Sequence, residues 1–177
     1  MDNKRMSRKP MVDEKPKEFE ENVVSVDRVA RVVKGGRRFR FRALIVIGDR
    51  KGRVGVGIAK GADVTSAVSK AVDDAKKHVI TVHLYKHTLP HDVEGRLAGA
   101  HVILKPASAG TGVIAGGVVR TVLESVGIQN ALSKSLGSSN KVNNAYATLN
   151  ALQQLRSADT WVTRASAPKK KVKNNEV

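Results

Sequence analysis

The chain of 177 residues contains no cysteine. That excludes disulfides and thiolate metal sites and fits a reducing cytosol. Aromatic residues make up only 3%. Proteins that hold single strands stack bases on aromatic rings, so this scarcity favours recognition of backbone and shape in structured RNA or duplex. Uninterrupted apolar runs such as residues 43–47 are far too short to cross a bilayer. The opening MDNKRMSRKP has no apolar stretch behind its charges and does not read as a secretory signal. No Gly-Lys dipeptide occurs, so there is no phosphate loop of the Walker type, and no Gly-x-Ser-x-Gly elbow occurs either. Between Asn22 and Ala158 there are eight acids against 21 Lys/Arg. No carboxylate pair stands out among them, and catalysis has no visible residues.

What is present is positive charge. Thirty-two basic residues against 16 acidic ones give a net charge of +16 and an isoelectric point near 10.4, the footprint of a nucleic-acid binder. A merely solvated surface would intersperse both signs, and here they segregate. The window from Arg28 to Lys60 carries eleven Lys/Arg and one acid, Asp49, a local charge of +10. So much like charge repels itself unless a polyanion compensates. Anionic membrane is a weaker competitor, because no segment sets Trp, Phe and Leu opposite a basic face.

Residues 1–21 hold six basic and six acidic residues with almost no apolar periodicity and read as a flexible tail. Residues 24–33 are valine-rich and alternate, which predicts a strand. Lys34-Gly35-Gly36 is a turn whose glycines allow close approach to a partner. Beyond it Phe39, Phe41, Ala43, Ile45 and Ile47 fall on one face of a strand, and Arg38, Arg40 and Arg42 on the other. Residues 48–52 form a polar hairpin loop. The returning strand places Val54, Val56 and Ile58 on one side and Gly55, Gly57 and Ala59 on the other. A face that small admits either a helix or an RNA backbone.

Asp63 is the predicted N-cap of a helix that carries Val64, Ala67, Val68, Ala71, Val72 and Ala75 and ends near His78. Residues 79–85 alternate as a strand, and 88–99 read as a loop or boundary around Pro90, Gly95 and Gly99. Residues 100–106 are a short buried strand stopped by proline. The glycine-rich stretch 108–117 opens onto a second helix that ends at Gly127. Residues 128–136 are a further strand, and Asn140 caps a last helix carrying Val142, Ala145, Leu149, Leu152 and Leu155. From residue 159 on, the chain reads as a basic tail. Trp161, in that tail, is expected to pack on a neighbouring surface.

Two constellations suggest other chemistry. Gly110-Thr111-Gly112 with Ala115 matches the loose dinucleotide pattern, but the acid needed about 20 residues on is missing, since Glu124 comes early and inside a helix. An RNA phosphate would suit a glycine-rich helix start equally well. His83, His87 and His91 are spaced by four, as helical metal ligands would be, yet Pro90 and the strand pattern argue against a helix there. No cofactor, metal or small-molecule substrate is expected.

With these residues in view, the chain resembles the bacterial-type small-subunit ribosomal protein S-five family (universal uS-five). The stretches VVKGGRRFRFRALIVIGDRKGRVGVG, AKKHVITV, LKPASAGTGVIAGGVVRTVLESVGI and SKSLGSSN carry the likeness, which runs over residues 22–156. The resemblance implies an α+β protein of two small domains between tails at 1–21 and 159–177. Residues 22–86 would resemble a double-stranded-RNA-binding domain of sheet plus helix, and residues 87–158 would form a two-layer α/β domain. It implies a structural, non-catalytic constituent of the cytoplasmic small subunit, bound to its ribosomal RNA next to ribosomal proteins four and eight and near the mRNA entry channel. It also implies stabilised head–body geometry and a contribution to decoding accuracy.

The family's RNA-contacting loop matches Lys34, Gly35, Gly36 and Arg37. Its interface with protein four matches Pro106, Ser108, Gly110, Thr111 and Gly112. The expected RNA contacts are, together, Arg28, Arg31, Lys34, Gly35, Gly36, Arg37, Arg38, Arg40, Arg42, Arg50, Lys51, Arg53 and Lys60, with Lys105, Thr111, Arg120 and Asn140 beyond the window. The chain departs from the family pattern at the last helix, where Asn140-Lys141-Val142-Asn143 lacks a proline and a following arginine, and at Ala109, where an acid is common. The alternative is a free-standing structured-RNA-binding protein or chaperone.

Overall fold

The computed structural model describes residues 18–157. Two mixed layers make it up. The first is an antiparallel sheet in the order β1-β2-β3-β4, from β1 (Glu20–Val33), β2 (Gly36–Gly48), β3 (Arg53–Gly61) and β4 (Ile80–Thr81), with α1 (Val64–Lys77) between β3 and β4. The second runs β5-β6-β8-β7, from β5 (Val93–Leu97), β6 (Ala100–Pro106), β7 (Val113–Ile114) and β8 (Ala131–Gly137). Its helices are α2 (Gly117–Val126) and α3 (Lys141–Gln153). Among the paired strands of the described residues, only β7–β8 is parallel. The α+β class is therefore as expected.

The alternation in β2 holds, but both of its faces become apolar at the inner end. Ala43, Ile45 and Ile47 pack with Ala67, Ala71, Val72 and Ala75 of α1. Leu44 and Val46, on the arginine side, join Val54 and Val56 in a core shared with Val119, Val122 and Leu123 of α2 and with Leu152 of α3. The first sheet is thus a central layer, covered by α1 on one side and by the second layer on the other.

The small face of β3 is settled as a helix seat. A Cβ on Gly57 would lie 2.1 Å from the Ala71 carbonyl oxygen, and one on Gly55 2.5 Å from that of Ala75. Glycine here is a matter of distance: the helix backbone sits directly on the strand. Asp63 does occupy the N-cap position, though its side chain makes no capping bond and only its carbonyl accepts, from the Ala67 amide at 3.0 Å.

Five expectations need correction. First, the opening strand begins at Glu20 rather than inside the region after residue 21, because Phe19 already packs against the α1 core. Second, of residues 79–85 only Ile80–Thr81 pairs as strand, and Tyr85 turns back on Thr88 through mutual backbone bonds. Third, the 88–99 stretch contains β5. Gly95 reads as a turn residue but is a packing residue, since a Cβ on it would lie 2.1 Å from the Ala147 oxygen of α3. Fourth, β7 inserts two paired residues into the glycine-rich stretch. Fifth, β8 starts at Ala131, not 128. Gly127 at φ 98 ends α2 and Asn140 starts α3 as anticipated, with the Asn140 side chain accepting from the Val142 amide. Trp161 and the basic C-terminal stretch lie outside the described residues.

Adding a methyl at a close-packed glycine forces backbone apart. We expect Gly57→Ala to cost about 1–3 kcal/mol in denaturant unfolding. Gly35→Ala, where no atom lies within 4 Å of the added Cβ, should stay within about 0.5 kcal/mol of the parent.

Candidate nucleic-acid interface

Beyond the edge of the second layer, β1 and β2 continue as a bare two-stranded ribbon. Cross-strand partners share a face, so the register assigns its sides. One side carries Arg42 opposite Asp27, Arg40 opposite Val29, and Arg38 opposite Arg31. Lys60 of β3 stands opposite Arg42 on the same side. The strip that is Leu44 and Val46 under the second layer thus becomes Arg42, Arg40 and Arg38 where that cover ends. Val29, Val33, Arg31, Arg38, Arg40 and Lys60 line a shallow groove of about 400 Å³. The other side carries Arg28 opposite Phe41, Ala30 opposite Phe39, and Val32 opposite Arg37. Lys34 and Gly35 make the two-residue turn, with Val33 paired to Gly36 at φ 136.

Ion pairing divides the expected cations. Arg42 donates to Asp27 at 2.8 Å. Arg31, Arg38, Arg40 and Lys60 pair with no acid among the described residues. Arg50 and Arg53 lie at the opposite end of β2, with Lys51 on the exposed loop between them. There Arg50 grips Glu20 through two bonds of 2.7 and 2.9 Å. Arg53 bonds Asp49 at 2.7 Å and Glu18 at 3.0 Å, with its guanidinium 4.9 Å over the Phe19 ring. These two arginines lock the β2–β3 loop, which in turn docks on α2: the Arg50 amide donates to the Ser125 carbonyl at 3.1 Å and Gly52 to Val126 at 2.9 Å.

Asp49 is the centre of that lock. Burial alone would raise its pKa. The bond from Arg53 and those from the Lys51 and Arg53 amides outweigh it and hold the carboxyl below its ordinary value of 3.8. The same bond to Asp49, and then the one to Glu18, push Arg53 further up.

The remaining expected contacts belong to the second layer. Lys105 pairs with Asp92 at 3.3 Å, and Arg120 is exposed on α2. Asn140 spends its side-chain oxygen on the α3 cap. Pro106 closes β6 opposite Ala131. In the loop that follows, the Gly110 and Gly112 amides both donate to Asn130 Oδ1, at 3.0 and 3.1 Å, and Ser108 and Thr111 share a hydroxyl contact at 3.1 Å. The amides that a dinucleotide would claim are therefore already satisfied. Asn130 is buried and escapes sequence reasoning, which places it inside a strand at 128–136 as an ordinary polar position. Thr88 completes the network, its hydroxyl donating to the Asn130 carbonyl at 2.7 Å and accepting from the Ala107 amide at 3.2 Å. Among the described residues no cluster of three His, Asp or Glu could hold a metal.

A flat cationic ribbon on a rigid base is a scaffold for binding an extended partner rather than a pocket for chemistry. Comparison with known proteins gives the class its family. Residues 19–83 match the model of ribosomal protein S5, N-terminal domain, and residues 95–165 that of ribosomal protein S5, C-terminal domain. The chain is 54% identical to small ribosomal subunit protein uS5c of Gracilaria tenuistipitata var. liui over 153 residues, which is 85% of this chain and 89% of that one. It is 54% identical to small ribosomal subunit protein uS5 of Picosynechococcus sp. over 145 residues, 81% of this chain and 84% of the relative. Against the uS5c protein of Spinacia oleracea it is 58% identical over 139 residues, spanning 78% of this chain but only 45% of the spinach protein. The chain belongs to the uS5 family of ribosomal proteins, whose members are structural components and not enzymes.

Two outcomes follow from the local geometry. A carboxylate with a depressed folded pKa adds stability that is present above its unfolded value and is lost as the pH falls through the folded one. Asp49→Asn should therefore be less stable than the parent at neutral pH, and the gap in denaturant midpoint should close as the pH falls below 3.8. Asn130→Ala strands the two glycine amides. We expect a loss of about 1–3 kcal/mol and faster hydrogen exchange at Gly110 and Gly112.

Proposed function

We propose that this protein is a structural constituent of the small ribosomal subunit in the cytosol, and that it holds small-subunit ribosomal RNA on the arginine side of its ribbon. One observation carries the reading. Arg31, Arg38, Arg40 and Lys60 line a single groove, and none pairs with an acid among the described residues. Phosphates supply the missing counter-charge, and such contacts fix register and orientation without reading sequence. Lys34, Gly35, Gly36 and Arg37 extend the contact around the tip, where the open space about both glycines lets a backbone approach. Arg42, tied to Asp27, borders the groove. Arg50 and Arg53 serve the fold instead.

The loop from Pro106 to Gly112, including Ser108, Gly110 and Thr111, is the surface we assign to ribosomal protein four, with protein eight as a further neighbour. Its rigidity through Asn130 suits a protein contact. A ribbon fixed at its base and bound at its tip would stabilise head–body geometry and so support decoding accuracy.

Sedimentation tests the assignment. The protein should co-migrate with small subunits through a moderate-salt wash, whereas a free-standing RNA chaperone would spread over many RNAs and wash off. On isolated ribosomal RNA fragments, Arg40→Gln should reduce the slope of log affinity against log salt by about 0.7–0.9. An unchanged slope would remove Arg40 from the interface.

A further inference from the structure

Phosphate binding accounts for one side of the ribbon and leaves the other unexplained. On that second side, Phe41 packs against the core under α1, while Phe39, one step further out, is 49% exposed and Val32 is 73% exposed. A single exposed apolar residue needs no explanation. Here two of them share a face with Arg28 and Arg37, at the projecting end of the most basic segment in the chain. The Arg28 guanidinium lies 3.8 Å from the centre of the Phe39 ring. Such a contact holds the ring by attraction between the cation and the π-face, and about half of the residue's surface still stays open. A ring capped by a cation and still half exposed is half of a stack.

We propose that Phe39, clamped by Arg28, is a stacking platform for one unpaired base of an RNA, with Val32 and Arg37 flanking it. The proposal rests on the reading of the ribbon as RNA-binding and gives its two sides different ligands: phosphates on the Arg38–Arg40 side, an extruded base on the Phe39 side. Structured RNA offers such bases at bulges and loops. The charge selects the occupant. Arg28 and Arg37 beside the ring repel cationic partners, and an acidic protein segment would answer the charge but offer the ring no planar face.

The test uses the full chain and two RNA hairpins that differ only in one unpaired 2-aminopurine bulged from the stem. The parent should bind the bulged hairpin about tenfold more tightly, within the range that base–aromatic stacking supports, and should quench 2-aminopurine fluorescence. Phe39→Leu should abolish both the preference and the quenching, keeping its affinity and salt slope on the plain hairpin, and Phe39→Tyr should restore them. Arg40→Gln should weaken both hairpins equally. Equal binding of the two hairpins with a steep salt slope, or quenching that survives Phe39→Leu, overturns the base contact and leaves the phosphate groove standing. Binding to neither hairpin overturns both. Phe39-dependent binding of labelled oligoglutamate, without preference between hairpins, would reassign the face to an acidic protein segment.

Discussion

Half of β2 is buried on both faces and the other half on neither. From Ala43 to Ile47 every residue is at most 1% exposed, with α1 below and the second layer above, whereas residues 36–40 are open on both sides. A two-stranded ribbon is marginal in water by itself, and a charge of +10 between Arg28 and Lys60 adds self-repulsion. The outer ribbon persists because the same strand is gripped further in. Its glycine-lined neighbour β3 makes that grip tight, since α1 can lie directly on the strand backbone only where Gly55 and Gly57 carry no side chain.

This anchoring bears directly on binding. Ordering loops and side chains at an interface subtracts from affinity, and a ribbon continuous with a doubly covered strand arrives already ordered. It also ties the arginine groove to the second layer. The strip Arg38, Arg40, Arg42 continues without interruption into Leu44 and Val46, which are part of the core shared with α2 and α3. Displacing any ligand held on that strip relative to the second layer would require bending β2 or opening the shared core. Close packing makes such interiors resist small displacements.

Much of this was legible. Period-two alternation identified β2, its polar loop and β3, and helical spacing found α1, α2 and α3 to within a residue or two. What the alternation concealed was the second buried face. The run Ala43-Leu44-Ile45-Val46-Ile47 has no polar residue at all, the signature of a strand covered on both sides, but the arginines at 38, 40 and 42 invite the eye to extend a polar face through Leu44 and Val46. Glycine was ambiguous for a physical reason. At Gly127 it supplies a left-handed φ as well as room for the Arg50 backbone, and at Gly57 and Gly95 it supplies absence of volume alone. Sequence shows the residue without showing which property is used, so β5 around Gly95 reads as a loop or boundary. The loop network through Asn130 and Thr88 depends on contacts 18 to 42 positions apart in the chain, which local pattern cannot reach.

The candidate site was legible as charge but not as distribution. Composition counts cations, and the fold then sorts them by whether an acid is within reach. Glu18 and Glu20, in a segment that reads as tail, turn out to hold Arg53 and Arg50, while Asp27 reaches Arg42 and Asp92 reaches Lys105. Most of these pairs are solvent-exposed, and such pairs add little stability. Their larger effect is on the electrostatic map, because they cancel positive charge at the base of the ribbon, at the far end of β2 and along β6. Arg31 and Arg38 face one another across the strands and Arg40 faces Val29, while Asp27, the carboxylate on that side, is taken by Arg42. Uncompensated charge is thereby gathered on the projecting ribbon, with Arg31, Arg38 and Arg40 on one side and Arg28 and Arg37 on the other, and that placement gives the surface a direction that the net charge of +16 could not.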